Sequence, residues 1–143
     1  MENRKIGKKV KCLSNLLKRR FDSSEVLNRS RSMTGMHGWV IVYLYENRDH
    51  DVFQRDVENT FEIRRPTATG ILQLMEKNGL IEKSPVSYDQ RLKKLTLTPE
   101  AIRIHEAVIA EMRAIEEQLC QGLSEEEINA FLRTLDVMPK NMQ

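Results

Sequence analysis

Residues 79–101 read Gly79-Leu80-Ile81-Glu82-Lys83-Ser84-Pro85-Val86-Ser87-Tyr88-Asp89-Gln90-Arg91-Leu92-Lys93-Lys94-Leu95-Thr96-Leu97-Thr98-Pro99-Glu100-Ala101. Leu80 to Lys83 is strand-like, and Leu92 to Leu97 is the strand that returns. Between them, Ser84 to Gln90 carries Pro85 and Asp89 and reads as a hairpin loop. Thr98-Pro99-Glu100 then starts a helix, with a capping hydroxyl followed by a proline in the first turn. Asn78-Gly79 closes whatever precedes, because glycine takes the left-handed conformation that ends helices.

Working backward, Pro66 opens a helix from about Arg65 to Lys77. Its apolar face is Ala68, Ile71, Leu72 and Met75. Glu62-Ile63-Arg64 is a tight connection to a shorter helix, Gln54 to Phe61, marked by Val57 and Phe61. Val52-Phe53 is a short apolar pair, and Asn47 to Asp51 is a polar turn. Thr34 caps a helix reaching about Glu46 that is apolar nearly all round and therefore central. Its β-branched run also suits a strand, and periodicity alone leaves both open. Ser30 to Thr34 is loop-like, and Asp22-Ser23-Ser24 interrupts the chain. Before it, Ile6, Val10, Leu13, Leu17 and Phe21 form one helical stripe.

Working forward, Ala101, His105, Val108, Met112, Ile115 and Leu119 form a heptad-type seam on a helix reaching about Gln121. Gly122 closes it. Ser124 and Glu127 make a capping box for a last helix carrying Ile128, Phe131, Leu132 and Leu135, which stops before Pro139. The expected class is mainly α with a small β-hairpin (α+β). It is a helix-turn-helix followed by a hairpin, in other words a winged helix with long flanking helices.

Composition bounds the rest. A chain of 143 residues makes one domain with one core. With 40% hydrophobic and 31% charged residues, it reads as soluble and globular. Its longest apolar run, Trp39 to Tyr45, is far short of the ~20 residues that span a bilayer. The basic N-terminus lacks the apolar core of a signal peptide, so the expectation is a cytoplasmic protein. Net charge is +2, but unevenly spread. Residues 1–20 hold eight bases and one acid, whereas residues 100–127 hold eight acids and two bases. The two segments attract one another, face different partners, or are ordinary solvated helix faces. His37, His50 and His105 are scattered without metal-ligand spacing. No phosphate loop or nucleophile motif occurs. Neither an enzyme nor a cofactor is expected.

A winged helix has a physical route to DNA. One helix crosses the backbone, the next enters the major groove, and the hairpin reaches a minor groove with a cationic side chain. Arg91 stands at that place in the wing. A narrow minor groove has enhanced negative potential, which suits arginine.

The residues Gly79 to Lys83, then Asp89-Gln90-Arg91, then Leu95-Thr96-Leu97-Thr98-Pro99-Glu100-Ala101 closely resemble the MarR family of bacterial regulators. Ile63 to Thr69 is similar to the start of that family's recognition helix, and the resemblance extends over nearly the whole chain. It implies one MarR-type domain over 1–143, with the winged helix at about 34–98. Dimerisation helices would cover about 2–21 and 99–138. It implies a homodimer on double-stranded, pseudo-palindromic DNA, most often a repressor. A small, often phenolic, molecule would release it. By position, Arg91 resembles the wing-tip arginine and Asp89 the aspartate that orients it. Arg65, Thr67 and Thr69 fall where members meet phosphates and bases, with Gln73 one turn on. Arg64 and Lys93 complete the candidate DNA-binding set. Lys93 and Lys94 alternate faces of a strand, so at most one of them points at DNA.

Two positions depart from the family pattern. Arg64 stands where Ser or Thr is frequent, which removes a capping hydroxyl. Gly70 stands where a long basic residue is frequent, which costs about 1 kcal/mol of helix stability relative to alanine. Met36, His37 and Trp39 are candidates for an effector pocket, with plain core packing as the competing reading. Cys12 lies near the place where some members sense hydroperoxides. Tyr43, Tyr45 and Tyr88 do not obviously match the supporting tyrosines, and a buried or inert thiol is the favoured reading. A winged-helix protein-interaction module that no longer reads DNA is the alternative from another class.

Overall fold

The computed structural model describes residues 4–29 and 34–143. Its elements are α1 (Ile6–Asp22), α2 (Glu25–Arg29), α3 (Gly35–Glu46), α4 (Gln54–Phe61), α5 (Arg65–Lys77), β1 (Ile81–Val86), β2 (Asp89–Leu97), α6 (Pro99–Cys120) and α7 (Glu125–Val137). A 3-10 turn, Met138–Met142, follows. The chain divides into two units, one up to Met112 and one from Arg113 to Gln143, with the boundary inside α6.

In the first unit, α3 is a helix, which resolves the strand ambiguity. Its start explains why. Thr34 Oγ1 accepts the His37 N–H at 3.4 Å, and His37 Nδ1 accepts the Thr34 N–H at 3.3 Å. This is a reciprocal cap with imidazole in the place of a carboxylate. Val40, Ile41 and Leu44 are buried with Leu72, Met75 and Val108. The α1 stripe behaves differently: only Phe21 is buried, and its ring meets Trp39 edge-on at 6.4 Å.

Three expectations are corrected. The chain after Asp22-Ser23-Ser24 forms a five-residue helix, α2, because Ser24 Oγ accepts the Leu27 N–H at 3.3 Å and Leu27 is fully buried. The remainder of the Ser30 to Thr34 loop, residues 30–33, lies outside the described residues. The hairpin is longer than the sequence suggests: pairing runs from Ile81↔Leu97 to Val86↔Asp89, leaving only Ser87 and Tyr88 in the turn. Pro85 does not break the strand, because both strands of a two-stranded ribbon are edges and the register shifts between Pro85 and Val86. Third, the seam of α6 is partly internal. Ala101, Val108 and Met112 are buried, while His105 stacks on Tyr45 with ring centroids 4.0 Å apart.

Two joints fix the wing. Thr98 Oγ1 donates to the Gly79 carbonyl at 2.6 Å and accepts the Ala101 N–H at 3.1 Å, so one hydroxyl caps α6 and ties it to the end of α5. Leu95 N–H donates to the Val52 carbonyl at 2.7 Å, which anchors β2 to the segment ahead of α4. An ion pair joins the basic α1 to α6, Arg20 to Glu111 at 3.1 Å.

In the second unit, Ser124 Oγ accepts the Glu127 N–H at 3.1 Å and Glu127 accepts the Ser124 N–H at 2.8 Å. This is the capping box expected there. Phe131, Leu132, Leu135 and Val137 of α7 remain exposed.

Candidate nucleic-acid interface

The α4 and α5 helices meet through a turn in which Glu62 takes the left-handed conformation, φ 52°. Its N–H returns to the Glu58 carbonyl, closing α4 and redirecting the chain into α5. Arg64 is the residue before α5 and makes no side-chain cap, as its lack of a hydroxyl implies. The first-turn N–H groups of α5 thus have no side-chain acceptor there and present partial positive charge.

Between α4, the first turns of α5 and the wing lies an open groove of about 710 Å³. Arg55, Arg65, Lys83, Arg91 and Lys93 line it, against two acids, Asp56 and Glu58. Asp56 is already committed: its Oδ2 accepts the Phe53 N–H at 2.8 Å. Gln54 and Thr69 lie on the same wall. A concave groove whose charged lining is mainly cationic focuses positive potential and favours polyanions.

The wing tip is a small electrostatic device. Asp89 Oδ1 accepts both the Arg91 backbone N–H, at 2.9 Å, and Arg91 Nε, at 3.2 Å. Its Oδ2 accepts from Arg91 Nη2 at 3.4 Å. The Arg91 side chain is nevertheless 91% exposed, against 29% for Asp89. The guanidinium beside Asp89, helped by the Arg91 N–H, holds the Asp89 carboxyl below the usual carboxylate range. An exposed pair of this kind contributes little to stability. Its effect is to limit the directions in which the guanidinium extends.

Of the sequence candidates, the structure brings Arg65, Thr69, Arg91 and Lys93 to the groove. Arg64, Thr67 and Gln73 are exposed on α5 or just before it, and none of them lines the groove. Lys94 points elsewhere, 4.0 Å from Asp51, and lines a separate cavity of about 240 Å³. That alternation is the one expected of a strand. Gln54, Arg55 and Lys83 also line the groove, and no motif in the sequence marks them. Lys83 pairs in register with Leu95 and so shares its face, a relation visible only once β1 reaches past Lys83.

His37 is buried, and Met36 and Trp39 are half-buried; none of the three lines the cavity beside Lys94. Burial lowers the His37 pKa below its ordinary value. Cys12 is exposed on α1, contrary to a buried thiol, and Cys120 is half-buried. Among the described residues, no group of three or more His, Cys, Asp or Glu is arranged to hold a metal ion. No described helix is long and apolar enough to cross a membrane.

A helix-turn-helix with a cation-lined groove against a two-stranded wing defines a winged-helix protein. The sequence profile of the MarR family matches residues 32–92. The crystal structure of the transcription regulator MarR from Oenococcus oeni PSU-1 is 32% identical. It covers 94% of this chain and 98% of its own, with a TM-score of 0.81. S. aureus MepR in DNA-binding conformation is 25% identical over 96% of this chain and 98% of that one, with a TM-score of 0.80. The heme sensor PefR from Streptococcus agalactiae, in complex with heme, is 27% identical over 99% and 95%, with a TM-score of 0.61. The chain belongs to the MarR family of transcription regulators, whose members are not enzymes.

Proposed function

We propose that the protein is a homodimeric repressor that binds a pseudo-palindromic operator and leaves it when a small, planar effector binds. The observation that carries the reading is the groove itself, with five cations between α5 and the wing and Arg91 held out by Asp89. On this reading α5 enters the major groove. Arg65, Lys83 and Lys93 meet phosphates, and Arg91 enters the flanking minor groove. The conformation of the S. aureus relative supports it.

The dimer is supported by exposed apolar side chains at Ile6, Val10, Leu13 and Leu16 of α1, and by Leu123, Phe131 and Leu132 near the other end. Contiguous exposed apolar surface on a soluble protein marks an interaction site. Effector release is supported by the heme-bound relative, a planar ligand on the same fold.

Selection from a random duplex pool tests the reading. The expected product is an inverted repeat with half-site centres about one helical turn apart, roughly 10 bp, or a multiple of that. Arg91→Ala then weakens binding to the selected duplex by about 1–3 kcal/mol and leaves the dimer intact. With three phosphate-contacting cations in each protomer, roughly six per dimer, log K falls against log salt with a slope of about −5. No enriched repeat, together with a salt-insensitive partner protein, would point instead to an interaction module.

A further inference from the structure

We propose that Gln54 is a positioning residue for operator reading: its side-chain amide sets the Thr69 hydroxyl as a hydrogen-bond donor facing the groove. The inference rests on the DNA-binding reading of that groove. Gln54 is the first residue of α4, and Thr69 lies in the second turn of α5, so the contact bridges the two helices of the helix-turn-helix.

Gln54 Nε2 stands 2.8 Å from Thr69 Oγ1 and 3.4 Å from the Arg65 carbonyl. The carbonyl decides which way round the amide sits. With the amide reversed, its oxygen would face the Arg65 oxygen, and two acceptors would oppose each other. The nitrogen carries two hydrogens, and α5 offers it two acceptors.

This arrangement changes what Thr69 does with its own proton. A threonine inside a helix commonly returns its hydroxyl to the carbonyl four residues back. For Thr69 that carbonyl is Arg65, where Gln54 already donates. Gln54 also occupies one lone pair of Oγ1. The Thr69 proton is therefore directed away from the helix, toward the groove that Thr69 and Gln54 both line. A hydroxyl that accepts one hydrogen bond is also polarised toward donating the next. The acceptors that suit it are phosphate oxygens and the N7, O6 and O4 atoms of base edges.

The test is a double-mutant cycle on the selected operator with the full chain. Binding is read by anisotropy for wild type, Gln54→Met, Thr69→Val and the double variant, and the duplex selection is repeated for each. Gln54→Met and Thr69→Val are each expected to weaken binding by about 2- to 10-fold, the loss of one net hydrogen bond. The double variant is expected to bind no worse than Thr69→Val alone, and both single variants should relax base preference at the same operator position. Thr69→Ser, which keeps the hydroxyl, should bind as wild type. Gln54→Glu should lose more than Gln54→Met, because a carboxylate takes the Thr69 proton for itself. Multiplicative losses in the double variant overturn the proposal, as does wild-type affinity in Gln54→Met while Thr69→Val is weakened. Either result leaves the DNA-binding reading standing. A wild-type protein that enriches no duplex removes that reading and this inference together.

Discussion

The same added methyl group at two helical glycines has opposite expected effects on stability. Within a helix, Gly→Ala gains about 0.5–1 kcal/mol from the restricted unfolded chain. At Gly70, an exposed position on α5, a Cβ would meet no heavy atom within 4 Å. Propensity acts alone there, so Gly70→Ala is expected to stabilise by about 1 kcal/mol. At Gly35, the first residue of α3, the Cβ would stand 2.3 Å from Phe21 Cδ2 and 2.4 Å from Cγ. Ordinary carbon contacts lie near 3.5–4 Å. The ring must therefore move by more than about 1 Å, and Cγ is the root of the ring rather than a flexible end. Phe21 is the one buried residue of α1, and it also packs on Trp39. Overpacking of this kind costs about 1–3 kcal/mol, which exceeds the propensity gain. The two variants should differ by about 2 kcal/mol or more. With a urea m-value of about 2 kcal/mol/M, that is about 1 M between midpoints. The assay is urea unfolding followed by far-UV circular dichroism, with all variants at one fixed protein concentration. A Gly35→Ala protein as stable as wild type would refute the packing of Phe21 over the start of α3. The Gly70→Ala protein also reports on the interface. If it is stabilised yet binds operator less tightly, the DNA backbone comes within reach of position 70.

Two further outcomes follow from single side chains. Thr98→Val removes a donor to Gly79 and the cap of α6, and is expected to lower stability by about 2 kcal/mol in the same unfolding assay. A loss under about 0.5 kcal/mol would mean that water replaces both bonds. His37 has a folded pKa below its ordinary 6.5, and its Nδ1 accepts the Thr34 N–H, which a protonated ring cannot do. The unfolded chain therefore takes up the proton first. The His37 contribution is complete above about pH 6.5 and is lost as pH falls toward the lower folded value. Wild type should lose stability between pH 7.5 and 5.5 more steeply than His37→Gln, which stays neutral and keeps a capping side chain. Parallel pH curves would show that His37 is not the group responsible.

The parts of this fold that the sequence announces are those set by local chemistry. Pro66, Asn78-Gly79, Thr98-Pro99 and the Ser124 to Glu127 box mark helix ends, and the helices end there within a residue or so. The parts it conceals depend on partners far along the chain. Five residues carry no helical period, so α2 is visible only through the burial of Leu27. Pro85 looks like a breaker until the ribbon is known to have two edges. The site divides the same way. Arg65, Thr69, Arg91 and Lys93 were legible because motif and strand alternation place them. Lys83 needed the length of β1, and Gln54 needed the approach of α4 to α5, which no spacing within either helix encodes.

Apolar periodicity has a further limit, which the heptad seam exposes. A repeat every three or four residues says that a face is covered but not by what. In α6 the repeat at Ala101, Val108 and Met112 is covered by the chain's own core, so those positions are not available to a second copy. The α1 repeat is the reverse case: Ile6, Val10 and Leu13 keep between 37% and 49% of their surface. Leu119, Leu123, Phe131 and Leu132 are similarly open. If two copies pair, the apolar contact is drawn from α1 and from the chain beyond Leu119. Substituting a charge at Leu13 or Phe131 should then lower dimer affinity, measured by sedimentation, while the protein stays folded by far-UV circular dichroism. The same charge placed at Val108 should unfold the protein itself, because it would be buried without a partner.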